Sequence, residues 1–249
     1  MSEQRQSWTR AVVAGLAACA LLAAVPARAD SPVAGVVVSL EGHPQLKAVG
    51  SDSYKRTKIN DMVHEGDTLK TGHGERVGVA FVGGAELRVN EDSVFTVQSG
   101  GSADKPTSVF TSLGDAWTRL ISGHAGPGIQ VRSPVAVAAV RGTEADIDVS
   151  DRMAVKVYEG HVDVMNDKGK TTLTKGQQSS VSGAGQAPAP ASKMSPTDYR
   201  SWQDGVKPKD LDKSLKLLNA AADKTRTLEI IHKNKDGSQK KTRYNLEKK

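Results

Sequence analysis

Six histidines are the side chains best suited to hold a metal or carry a proton, and His43, His64, His73, His124, His161 and His232 are scattered along the chain. No two stand at ligand spacing on one element, and there is no His-Glu-x-x-His. His64, Glu65 and His73 come nearest to a ligand set, but without regular spacing they predict no metal site. Gly72-His73-Gly74 lacks the third glycine of a dinucleotide loop, and neither a Gly-x-Ser-x-Gly elbow nor a phosphate loop occurs. Asp146, Asp148 and Asp151 lie close together, but the glycine and terminal glutamate of a calcium loop are missing, so they read as exposed strand residues. Paired carboxylates of the glycosidase kind are assembled in space and leave no spacing to read. A sugar platform needs exposed rings: Trp117 sits in an apolar strand and reads as core, which leaves Trp202, on a basic segment, as the surface candidate. The chain therefore reads as non-catalytic and without a cofactor.

The first residues point to export. Arg5 and Arg10 precede an apolar run from Ala11 to Val25, closed by Ala27-Arg28-Ala29. Basic, apolar, then small-x-small is the order of a cleaved secretory signal, and the run is short for a membrane span. Cleavage after Ala29 is expected, with residues 1–29 as signal peptide. Leu16-Ala17-Ala18-Cys19 also spells a lipobox, so the alternative is a lipoprotein anchored at Cys19; the apolar run continues well past it. Cys19 is the sole cysteine, so cleavage after Ala29 leaves no thiol for a disulfide or a zinc site.

From Val33 to Val181 the apolar residues alternate with period two. Val77, Val79 and Phe81 are followed by Leu87 and Val89. Further on come Val135 and Val137, then Ile147 and Val149, Val155 and Val157, and Val162 and Val164. Such runs, bounded by Gly, Asn and Asp, are half-buried strands. The prediction is a mainly β protein: a compact sandwich or β-roll of about ten to twelve short strands over residues 30–182.

After Val181 the composition changes. Residues 183–193, rich in Ala, Pro and Gly, read as a linker. Residues 194–249 read as a basic helical and hairpin tail. Ser195-Pro196 and Asp198 signal a helix start carrying Tyr199 and Trp202, and Leu211, Leu215 and Leu218 recur at helical spacing up to Lys224. Leu228, Ile230 and His232, an Asp236-Gly237 turn, then Thr242 and Tyr244 read as a hairpin. The whole chain has a formal charge of +6, and from Lys207 onward 13 Lys or Arg face 6 Asp or Glu, a net of about +7. Lys240, Lys241 and Arg243 lie in this tail, which suits an anionic envelope polymer or lipid, or plain solvated charge. Nucleic acid is not expected for an exported chain.

Three blocks occur in an order that resembles the FecR domain family. The first is Glu65-Gly66-Asp67-Thr68-Leu69-Lys70-Thr71-Gly72, continuing to Gly84-Ala85-Glu86-Leu87-Arg88-Val89. The second is Val131-Arg132-Ser133-Pro134-Val135-Ala136, running into Val140-Arg141-Gly142-Thr143-Glu144. The third is Val157-Tyr158-Glu159-Gly160-His161-Val162-Asp163-Val164, closed by Leu173-Thr174-Lys175-Gly176-Gln177. The resemblance implies regulation: family members sense a partner through a periplasmic domain and control a sigma factor. Here only about ten residues precede the apolar run, so a stand-alone periplasmic FecR-domain protein is expected, binding an envelope protein of the outer membrane or periplasm in signalling or sensing. The alternative is an envelope scaffold on peptidoglycan or another anionic polymer. Gly66, Asp67, Gly84, Gly142, Thr143, Gly160 and Gly176 read as structural turns. Arg141, Glu144, Tyr199, Trp202, Lys240, Lys241 and Arg243 are the candidate partner-binding residues.

Overall fold

Alternating β-branched residues make strands because one face of each can be buried while the backbone pairs with its neighbours. The computed structural model describes residues 31–121, 126–225, 227–233 and 239–245. The first eight strands are β1 (Val33–Glu41), β2 (Gln45–Lys47), β3 (Lys55–Arg56), β4 (Met62–His64), β5 (Thr68–Lys70), β6 (Arg76–Phe81), β7 (Ala85–Val89) and β8 (Val94–Ser99). They are followed by β9 (Thr107–Leu120), β10 (Ile129–Arg132), β11 (Val137–Val149), β12 (Met153–Asn166), β13 (Gly169–Thr174), β14 (Gln177–Val181) and β15 (Ser192–Lys193). The protein is mainly β, as expected, although β9, β11 and β12 are far longer than the short strands anticipated.

These 15 strands form one hydrogen-bonded sheet, and the pairings fold it into two layers. One layer runs β4-β1-β6-β7 and continues through the second half of β9, the second half of β11, the first half of β12, then β14 and β15. The other runs β3-β2-β5-β8 and continues through the first half of β9, β10, the first half of β11, the second half of β12 and β13. All neighbours are antiparallel except β9 and β10. The three long strands therefore belong to both layers. They switch at glycines: Gly114 in β9 has φ 140°, Gly142 in β11 has φ 72° and Gly160 in β12 has φ 70°, and the β11–β12 register shifts between Arg141 and Ala145. Read from sequence as turns, Gly142 and Gly160 instead bend strands that continue past them, which bulges with positive φ allow.

The alternating residues meet between the layers. Val77, Val79, Phe81, Leu87, Val89, Ile147, Val155 and Val157 from one layer pack against Leu69, Phe95, Val97, Val109, Ile129, Val131, Val162 and Leu173 from the other, all fully or nearly fully buried. Each such side chain contributes about 1.5–3 kcal/mol on burial. Strand β1 is buried on both faces, because Val33, Val36 and Val38 point outward into a second cluster with Leu215 and Leu218. These leucines belong to α1 (Leu211–Thr225), so the helix expected from the leucine spacing docks on the back of the sheet. Ser214 in it donates to Asn60 Oδ1 at 2.8 Å.

Residues 183–191, rich in Pro and Gly, lie along the sheet. Asn166 donates to the Gln186 carbonyl at 2.6 Å, the Thr171 hydroxyl to that of Pro188 at 3.3 Å, and the Ala189 N–H to that of Ser180 at 2.9 Å. Where a helix was expected from Ser195, the chain forms two short 3-10 turns, Pro196–Asp198 and Trp202–Val206. Beyond α1, β16 (Thr227–Lys233) pairs with β17 (Gln239–Asn245); the Asp236-Gly237 turn expected between them lies outside the described residues, as do residues 1–30 and His124.

Candidate functional site

The outward positions of the first layer form a continuous polar row. Pairing aligns Gln178, Lys156, Asp146, Trp117, Arg88, Gly78 and Ser39 across six strand boundaries, from β14 to β1. Flanking this row on the same face, at i±2 positions along the strands, are Glu86 and Arg119 on one side and Asp115 and Asp148 on the other. A polar sheet face ordinarily meets water, but Glu86, Arg88, Trp117 and Asp146 are all buried here.

The cover is residues 195–206, a strap laid across the strands. Asp198 accepts from Gln178 Nε2 at 3.0 Å and pairs with Lys156 Nζ at 3.3 Å. The Tyr199 ring stacks on Tyr158 with centroids 5.6 Å apart. Arg200 reaches down to three carboxylates: Asp115 at 2.8 Å, Asp148 at 3.5 Å and Asp146 at 3.8 Å. Next, the Gln203 carbonyl accepts from Arg88 Nη1 at 2.9 Å. Val206 is buried at the far end, beyond which α1 continues the cover over β1. At the entry, Asp198 accepts from the N–H and the hydroxyl of Ser195, both at 2.8 Å. The Ser195 backbone bond first, its hydroxyl next and then Lys156 lower the Asp198 pKa to about 2.

Two charge groups share the face. Under the strap's last turn, Glu86 is fully buried and held by Arg88 Nε and Arg119 Nε, each at 2.6 Å. The Arg88 guanidinium lies 4.4 Å over the Trp117 ring and that of Arg119 5.9 Å, a desolvated cation–π arrangement. One strand pair further on is the acidic group. Burial first, then the neighbouring Asp115 carboxyl, pushes Asp146 well above the usual carboxylate range, against the pull of Arg200 and the hydrogen bond from Tyr158. Tyr158 donates to Asp146 Oδ2 at 3.1 Å and is itself pushed up, by burial and then by Asp146. Burial works against the Arg200 charge, but Asp115, Asp146 and Asp148 outweigh it and hold the guanidinium protonated. Chemically, this group is a cradle for a guanidinium, with an aromatic ring at its side.

Asp146 thus departs from the exposed role read from sequence: it is 3% exposed. Trp117 is buried as expected, but on the outer face and under arginines, outside the apolar core. Of the candidate partner residues, Tyr199 and Trp202 lie in the strap. Arg141 and Glu144 sit at the β11 bend, away from it; Arg141, with Gly142, lines a cleft of about 550 Å³ formed with Pro106, Leu120, Gly126 and Ile129. Its charge also helps, after Lys170 and Thr172 and against burial, to hold Asp163 below the usual range. Lys240, Lys241 and Arg243 fall on β17, and their side chains lie outside the described residues. Gly66, Gly84 and Gly176 have φ of 89°, 80° and 75°. Asp67 is buried and accepts from the Val49 and His64 N–H groups, both at 2.9 Å.

His64 meets Asp67 at 3.6 Å, and His73 joins Glu91 at 3.0 Å and Asp92 at 3.8 Å in a cluster on the surface. This trio could supply metal ligands, but it is open to solvent and its Glu91 already accepts from the Gly74 N–H at 2.7 Å.

Residues 67–163 match the family model described as FecR protein. That segment is similar to a FecR domain. The matched segment runs from the turn before β5 into the second half of β12 and holds Glu86, Arg88, Asp115, Trp117, Arg119, Asp146, Asp148 and Tyr158; the strap lies outside it. Two crystal structures of a candidate anti-sigma factor from Parabacteroides distasonis are similar, each with 20% identity and a TM-score of 0.43. The similarity covers 51% of this chain and 59% of that one. Among curated proteins no match was found.

Proposed function

We propose that the protein is an exported, non-catalytic FecR-domain module that binds another protein of the cell envelope and acts in signalling or sensing. The FecR match over residues 67–163 carries this reading. The signal-like segment ending at Ala29 supports a periplasmic site of action. The β11 bend offers the contact: Arg141 projects beside an open cleft, on a strand held from both sides.

The full chain, tagged at its C-terminus and crosslinked in living cells, tests this. Material from the periplasm should have the intact mass of a chain beginning at Asp30 and should carry an envelope protein that Arg141→Glu, melting like the parent, fails to hold. A chain retained in the cytoplasm with residues 1–29 attached, or identical captures by both variants, would overturn it.

A further inference from the structure

The strap is an unusual cover. Among the described residues it buries little apolar surface beyond Val206 and the partly buried Trp202 ring: Tyr199 is 52% exposed, and Arg200 is 38% exposed. Helix α1, by contrast, is pinned by Leu215 and Leu218. Three buried polar atoms at the contact also have no hydrogen-bond partner among the described residues: Trp117 Nε1 on the sheet side, and Trp202 Nε1 and Gln203 Oε1 on the strap side. Buried polar groups are normally paired, so the strap and the face are complementary in charge but incompletely matched in hydrogen bonding. Segments with few buried apolar contacts open first in local unfolding. The face itself is rigid, because its side chains stand on four paired strands whose other side is the core.

We infer that this face is a recognition site for an extended protein segment presenting an arginine flanked by aromatic rings, filled in this chain by its own residues 198–203. Three carboxylates meet one guanidinium, the Tyr158 ring stacks an incoming aromatic, and Arg88 donates to a carbonyl three residues beyond the arginine. A partner segment with that pattern makes the same contacts once the strap lifts. The strap is tethered at both ends, by β15 and α1, and so competes at an effective concentration in the millimolar range. The inference rests on the protein-binding reading above and names the chemistry of the partner.

The probe is a synthetic peptide of residues 195–206, labelled for fluorescence anisotropy, titrated into the full chain. Arg200→Ala weakens the strap in cis and should bind the peptide at least about tenfold more tightly than the parent, in which the tethered competitor blocks it. A peptide carrying Arg200→Ala should lose that binding, and adding Asp148→Ala to the Arg200→Ala chain should weaken it. Trp202→Ala in the full chain opens the same face from the other end and serves if Arg200→Ala fails to fold. Equal binding of both peptides, or no binding by either opened chain up to about 1 mM, would overturn the inference. All components are purified, so success here with no envelope capture would sink the periplasmic reading alone, and the reverse result would sink only this one.

Discussion

Removing Glu86 should be among the most damaging single substitutions in the protein. Glu86 is 0% exposed and Arg88 1% exposed, with 2.6 Å between their charged atoms. Glu86→Leu fills the space with an apolar side chain and leaves Arg88 as a buried cation without its counter-charge. Truncating one member of such a pair costs about 3–5 kcal/mol. Arg119 adds little to that sum, since it is one-third exposed and water can solvate it. The cation–π contact to Trp117 and the bond to the Gln203 carbonyl are made in parent and variant alike, so they cancel in the difference. A net loss of about 3–5 kcal/mol is therefore expected, a large share of the 5–15 kcal/mol typical of a domain. Urea denaturation should show it as a lower midpoint at unchanged slope. Arg88→Met in the same chain should restore most of the loss, because replacing both partners of a buried pair is close to neutral. A single-variant loss below about 1 kcal/mol, or a double variant no better than the single, would refute the claim that this pair is sealed from water.

Asp146→Asn should change how stability depends on pH. The folded protein holds the Asp146 proton above the usual 3.8, so the parent loses stability as pH rises from there through the raised value, and the neutral amide does not. Melting curves at several pH values should show the variant gaining on the parent as pH rises; parallel curves would contradict a carboxyl buried beside Asp115. Gly142→Val should cost about 1–3 kcal/mol through backbone strain, because φ is 72° and no atom of the described residues lies within 4 Å of an added Cβ. Gly142→Asn should cost less, since asparagine tolerates the left-handed region, and if Val and Asn variants melt alike the bend is not held in that conformation.

The sandwich was legible because alternation is local: Val77, Val79 and Phe81 announce a strand within five residues. The three FecR-like blocks were legible for the same reason. The charged face was not. Glu86, Arg88, Asp115 and Asp146 occupy the polar positions of alternating strands, where charge ordinarily means water, and what buries them comes later in the chain. Arg200 is 85 residues from Asp115, and the Gln203 carbonyl 115 from Arg88. One signal was present: Trp117 stands between Asp115 and Arg119 in the same alternation, so the largest apolar ring is on the side assigned to solvent. A tryptophan there calls for a cover. Ser195, Pro196 and Asp198 signal a helix start from sequence and do form a capped turn, but the cap is spent on a single 3-10 turn.

The three glycine-bent strands make the two layers mechanically one body. In a sandwich whose sheets meet only through side chains, one sheet can slip over the other when the core is loosened. Here β9, β11 and β12 carry the backbone itself from layer to layer, so such a slip would break ladder hydrogen bonds in both at once. A load applied at the outer face is borne by the same covalent threads that line the opposite layer, and the sandwich answers it as a frame in which Gly114, Gly142 and Gly160 are the corners.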